Sequence, residues 1–175
     1  MKKLLLSIIT LVLGLALVAC GRDSTPEKVD NPDVENQSQS EESPKTEVFN
    51  IGDTIKMGDL QFTVHETRTS KGGDFIKAPE GIKYVYINTT VENTGSEEEA
   101  ISSVMMFKLV DLEGTSHNIA IVEDAKGQVD GSLGAGRKVK GELVYKVPED
   151  QNEFELEINP SLTGKGIGVV KITLQ

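Results

Sequence analysis

The stretch Tyr84-Val85-Tyr86-Ile87-Asn88-Thr89-Thr90-Val91-Glu92-Asn93-Thr94-Gly95 decides the fold. Val85, Ile87, Thr89 and Val91 alternate with Tyr84, Tyr86, Asn88 and Thr90. A period of two puts each set on its own side of an extended chain, so this is a half-buried strand. The run stops at Asn93-Thr94-Gly95, residue types that favour a turn. The face of Val85, Ile87 and Val91 is assigned to a core, which leaves Tyr84 and Tyr86 on the opposite face. That aromatic pair is either an exposed binding patch or is packed under a loop or a second core face, and alternation alone leaves both open.

The same period recurs on both sides. Leu60, Phe62 and Val64 alternate with Gln61, Thr63 and His65, so His65 points away from the core and Glu66 beside it faces the other way. Met105, Phe107 and Leu109 lead to Asp111-Leu112-Glu113-Gly114. There the glycine supplies the positive φ of a hairpin returning through Ile119 and Ile121. Gly134-Ala135-Gly136 precedes Val139, Gly141, Leu143, Tyr145 and Val147, a long strand that Pro148 closes. Phe154, Leu156 and Ile158 alternate with glutamates, and Val170, Ile172 and Leu174 finish the chain. With a short hairpin at Ile55 this makes seven to nine short strands, with helical character confined to a turn around residues 123–126. The pattern predicts an all-β, immunoglobulin-like antiparallel β-sandwich. One Cys and no Trp exclude the disulfide-and-tryptophan core of antibody domains, so packing alone must join the sheets.

Apolar residues divide the 175-residue chain into three parts: 15 fall in the first 20 residues, 2 in the next 27 and 48 in the last 128. The division gives a signal peptide over residues 1–19, Cys20 with an acidic tether over 20–47, and the sandwich over 48–175. The tether has only Val29 and Val34 to bury. These cannot offset the entropy of ordering it, and as a flexible coil it spans about 30 Å. The net charge of -10 is shared between the tether (-5) and the domain (-7), against two lysines at the N-terminus. A nucleic-acid backbone would be repelled by both acidic segments, which excludes nucleic acid as a partner. Anionic headgroups would be repelled as well, so attachment to a membrane needs another source.

The N-terminus offers one. Lys2 and Lys3 precede an uncharged, mostly aliphatic run over residues 4–19. As a helix it would be roughly 24 Å long, short of the hydrocarbon thickness, which favours a secretory signal over a membrane span. It ends in Leu17-Val18-Ala19-Cys20, which resembles the lipobox of bacterial lipoprotein signal peptides. The resemblance implies a diacylglyceryl group on the Cys20 thiol and cleavage after Ala19, with Leu17 the aliphatic position and Val18 a permitted one. Two other readings are an uncleaved signal anchor and a secreted protein with an incidental Cys. Against the latter, one Cys among 175 residues reaches this position by chance once in 175 placements. Two acyl chains suffice for stable anchoring. The expected location is therefore the extracytoplasmic face of the cell membrane, with the membrane itself a partner through Cys20.

Ile51-Gly52-Asp53-Thr54, the strand quoted at the outset, Phe107-Lys108-Leu109-Val110-Asp111 and the run from Leu133 to Pro148 carry a second resemblance. The series is similar to a family of bacterial envelope lipoproteins, domain of unknown function 4352. It implies a telokin-like, immunoglobulin-like fold, related to a mycobacterial immunoprotective secreted antigen, over nearly all of residues 51–174. It implies no catalytic residues.

A search for chemistry finds no nucleophile elbow, no HExxH and no phosphate loop. Gly164-Lys165-Gly166-Ile167-Gly168 lacks dinucleotide spacing and reads as a hairpin loop. His65, and His117 just past the hairpin tip, read as solvated. Glu97-Glu98-Glu99, and Asp124 with Asp130, lack the alternating spacing of a calcium loop. No catalytic residue, metal ligand or cofactor is expected. The expected function is a non-enzymatic binding or interaction module for a protein or cell-wall ligand at the envelope. The alternative is an envelope hydrolase or weak calcium binder with a site assembled from distant loops.

Overall fold

The computed structural model describes residues 27–28, 47–160 and 166–175. Two five-stranded sheets face each other across one main core. The first runs β1 (Glu27–Lys28), β3 (Thr54–Met57), β4 (Leu60–Ser70), β5 (Ile82–Asn93), β10 (Lys138–Pro148), antiparallel throughout. The second runs β2 (Glu47–Phe49), β12 (Gly168–Thr173), β11 (Glu153–Ile158), β7 (Phe107–Asp111), β8 (Ser116–His117). It too is antiparallel except where β2 lies parallel to β12. A separate ribbon pairs β6 (Glu99–Ile101) with β9 (Gly131–Leu133), and one short helix, α1, spans Ser103–Met106.

The alternation read from sequence sets the inner faces. Phe62 and Val91 of the first sheet meet Phe107, Leu109, Phe154 and Leu156 of the second in a continuous core. Phe62 and Phe107 pack edge to face with centroids 5.8 Å apart, which links the sheets where no disulfide does. The turn after β5 is held by Asn93. Its buried side-chain amide donates to the carbonyls of Glu97 and Leu133, and its Oδ1 accepts from the Gly95 N–H. The hairpin at Asp111 forms as expected, with Gly114 at a φ of 87°. The Asp111 carboxylate accepts the Glu113 and Thr115 N–H groups.

Four expectations change. Strand β7 begins at Phe107, because Ser102 to Met106 closes one helical turn. Asp130 takes both the N–H and the hydroxyl of Ser103, and Val104 and Met105 lie exposed instead of lining a core. The return strand is short: after His117 the chain leaves the second sheet, residues 118–120 bond to the outer edge of β10, and Ile121 is exposed. Strand β4 carries a bulge between Val64 and Glu66. One extra residue reverses the facing of all that follow. Glu66 therefore lies on the outer face opposite Asn88, not on the core face. Finally, Glu27–Lys28, inside the segment read as tether, pairs with β3 and covers an edge that would otherwise present unpaired backbone groups.

Candidate functional site

Tyr84 and Tyr86 are buried, at 2% and 0% exposure. They form a second core with Val122 and Val144, closed by Ala78, Ala120 and Ala125 from the covering loops. The pair is packed under loops and is not a surface patch. The bulge explains how this lid is fastened. By shifting facing after His65 it puts Arg68 opposite Tyr86, with the guanidinium carbon 3.6 Å from the ring centre. Arg68 Nε and Nη2 donate to the two oxygens of Glu142 at 2.9 and 2.8 Å, and Nη2 also reaches the Asp124 carbonyl. The Tyr86 hydroxyl donates to Asp124 at 2.6 Å, and Glu123 accepts the N–H groups of Phe75 and Ile76. These contacts clamp both loops onto the sheet.

They also set a pH window. Burial pushes the Glu142 carboxyl up, but the hydrogen bonds from Arg68 and from the Lys126 N–H, with their positive charges, outweigh it and hold it below 4.5. Burial and the hydrogen bond to Asp124 push Tyr86 from 10.0 up to about 12. The first contribution is present above pH 4.5 and is lost as pH falls through the lower folded value. The second is present below pH 10.0 and is lost as pH rises through about 12. Urea midpoints are expected to be level between these limits and to fall on both sides, and a midpoint unchanged at pH 3 would contradict the acid limb.

The candidate site lies at the open seam between the sheets. Edge strand β10 of the first sheet faces edge strand β8 of the second, and the chain crossing between them bonds through Ala120 N–H to Val144 O and Lys146 N–H to Asn118 O. Beside this crossing is a cavity of about 420 Å³. Its apolar mouth is formed by Val104, Met105 and Ile167, all exposed. Inside, Ile119, Phe107 and Tyr145 line it, and Lys108 and Glu157 form an ion pair at 3.3 Å on its wall. Tyr145 is 1% exposed and its hydroxyl has no hydrogen-bond partner; burial raises its pKa strongly.

His117 lines the same cavity, and its side chain is only 8% exposed, so it is not the solvated residue expected. Pairing with Leu109 turns it inward, where its ring packs edge to face on Phe154 and Nε2 lies 3.5 Å from Asp111 Oδ2 without a hydrogen bond. Counting by two from Ile119 was the signal that would have placed it inside. The unpartnered Tyr145 hydroxyl had no sequence signal, since its missing partner is a property of the assembled seam.

The other singled-out residues do not converge here. His65 is exposed and bonds Thr90 at 2.8 Å. Glu98 accepts from Ser132, Glu99 enters β6, and Asp124 and Asp130 serve different partners. Among the described residues no group of three or more His, Cys, Asp or Glu is placed to hold a metal, and no helix is long and apolar enough to cross a membrane. Cys20, Leu17, Val18 and Ala19 lie outside the described residues, as do Gly164 and Lys165.

Comparison with known proteins extends this picture. A family model described as "Domain of unknown function (DUF4352)" matches residues 49–170. The uncharacterized lipoprotein YjhA of Bacillus subtilis is 30% identical over 192 aligned positions, covering 93% of this chain and 89% of YjhA. The yjhA crystal structure superposes with a TM-score of 0.59 at 26% identity, over 73% of this chain and 99% of that one. The ycdA protein of Bacillus subtilis gives 0.55 at 23% identity, over 65% of this chain but only 36% of its own length. The secreted protein MPT63 of Mycobacterium tuberculosis gives 0.54 at 15% identity, over 72% of this chain and 98% of its own, a likeness of fold alone.

Proposed function

The chain belongs to the DUF4352 family, and from that premise we propose a lipid-anchored, extracytoplasmic protein whose β-sandwich is a non-enzymatic binding module at the cell envelope. Anchoring is supported by Leu17-Val18-Ala19-Cys20 together with the lipoprotein name of the relative YjhA. The binding reading is carried by one observation: a cavity of about 420 Å³ opens at the seam through an apolar mouth of exposed Val104, Met105 and Ile167, with Lys108, Asn118 and Asn159 among its polar lining. Pockets of this composition hold small ligands by apolar burial and orient them through a few polar groups. Among the described side chains that line it, none form a nucleophile and base pair, which favours binding over turnover.

Anchoring is tested by Cys20→Ala in cells fed a radiolabelled fatty acid. The wild type is expected to be labelled and to sediment with membranes. The variant is expected to lose the label and to be released or left unprocessed. Membrane retention with no lipid on Cys20 in the wild type would refute the anchor.

A further inference from the structure

We propose that the end of the sandwich carrying Val104, Met105 and Ile167 rests on the bilayer that holds Cys20, with these three side chains inserted among the lipid headgroups and upper acyl chains. The inference rests on the lipid-anchor reading above and adds which face of the domain the membrane covers. The path of the chain picks that face. Strand β1 is antiparallel to β3, with Glu27 opposite Lys56 and Lys28 opposite Ile55, so the segment before Glu27 departs toward Met57 and the turn into β4. Six residues, 21–26, separate Cys20 from Glu27, a reach of about 25 Å at full stretch. Strand β2 is entered from the same end, since Glu47 lies opposite Gly168, where β12 begins.

Both sheets share that end. Leu60 opens β4 opposite Asn93, the last residue of β5, and from Asn93 the chain passes through β6 and α1 into Phe107. Phe107 lies opposite Ile158, and Ile158 opposite Gly168. Val104 and Met105 on α1, with Ile167 just before β12, are exposed and line one mouth, so they form a grouped apolar surface where the anchored segment departs. Phe75, 92% exposed, belongs to the opposite end, in the loop from β4 to β5. Strand β4 is 11 residues long, roughly 35 Å, too far for a leader of about 25 Å to bring Phe75 down in place of the other end. Charge does not supply the attraction. Lys108 beside the mouth is paired with Glu157, and Asp59, Glu97, Glu98 and Glu99 outnumber Lys56 and Arg137 at this end. The contact is apolar, and the anchor supplies the local concentration that three side chains alone would lack. The seam cavity behind them then opens onto lipid.

The chain has no Trp, so an introduced one reports alone. Full-length Val104→Trp and its counterpart Phe75→Trp are expressed in cells, purified from membranes and reconstituted into phosphatidylcholine vesicles with and without bromine on the acyl chains. Bromine is expected to quench Val104→Trp at least about threefold more than Phe75→Trp, equally in low and high salt. Replacing part of the phosphatidylcholine by phosphatidylglycerol is expected to weaken the quenching at low salt. Adding Met105→Ser and Ile167→Ser to Val104→Trp is expected to reduce it about twofold or more. Equal quenching at the two positions, stronger quenching of Phe75→Trp, quenching that grows with phosphatidylglycerol, or no reduction on adding the two serines would each overturn the proposal. The fatty-acid label on Cys20 is measured on the same preparations. With the label present, any of these results removes the docking face and leaves the anchor standing; with the label absent, the anchor reading fails and the docking face with it.

Discussion

Gly141→Ala is expected to lower the unfolding free energy by about 3 kcal/mol, at the upper end of what overpacking a core costs. Gly141 occupies an inward position of β10, between Val139 and Leu143, where the alternation calls for an apolar side chain. The space is already filled by backbone. A Cβ there would sit 2.7 Å from the Gln128 carbonyl carbon and amide nitrogen and 2.9 Å from its Cα. The contact is mutual, since a Cβ on Gly127 would lie 2.7 Å from the Lys140 carbonyl oxygen. A backbone cannot rotate away as a side chain can, so the loop carrying Val129 into the core must shift. Gly136→Ala is the matched comparison: its φ of 69° is strained for alanine, but nothing lies within 4 Å of the new atom. It is expected to cost only about 1 kcal/mol. Urea unfolding of the two variants side by side decides the matter, and equal losses would show that the loop yields freely.

Glu142→Ala is expected to cost about 2 kcal/mol. The carboxylate is 4% exposed and accepts three donors, two from Arg68 and the Lys126 N–H at 2.8 Å. Its removal strands a guanidinium against the Tyr86 ring with Asp124 at 3.6 Å as the remaining counter-charge. Breaking a fully buried pair costs more, but Arg68 is about one-third exposed and can turn toward water. The loss is expected to extend to the loops, seen as faster amide exchange in residues 123–126. A double-mutant cycle with Arg68→Ala distinguishes the pair from generic packing. Once Arg68 is gone, Glu142→Ala should cost distinctly less, and additive losses would mean the two residues act independently.

Much of this fold is legible in the sequence because it depends on period and turn chemistry. The two-residue alternation located β4, β5, β10, β11 and β12, and Asp111 to Gly114 announced its hairpin. What escaped depends on single residues or on distance along the chain. The bulge at His65 leaves no compositional mark, yet it decides that Arg68 meets Tyr86 on the outer face. Arg68 and Glu142 are 74 residues apart, so nothing local links them. The α1 turn was missed because Met105 continues the alternation of Phe107 and Leu109, and only Asp130, 27 residues beyond Ser103, draws the chain into a helical turn. The cavity was illegible for the same reason: its walls come from both sheets, and neither sheet's own pattern records a gap between them.

The crossing of residues 117–120 from the edge of one sheet to the edge of the other bears on how the molecule comes apart. Ordinarily two stacked sheets share only side-chain contacts and can loosen by sliding or gaping. Here a continuous piece of backbone is hydrogen-bonded to β7 at one end and to β10 at the other, so opening the seam strips ladder bonds from both layers at once. The sandwich is thereby expected to unfold as a single cooperative unit, with both sheets lost in one urea transition.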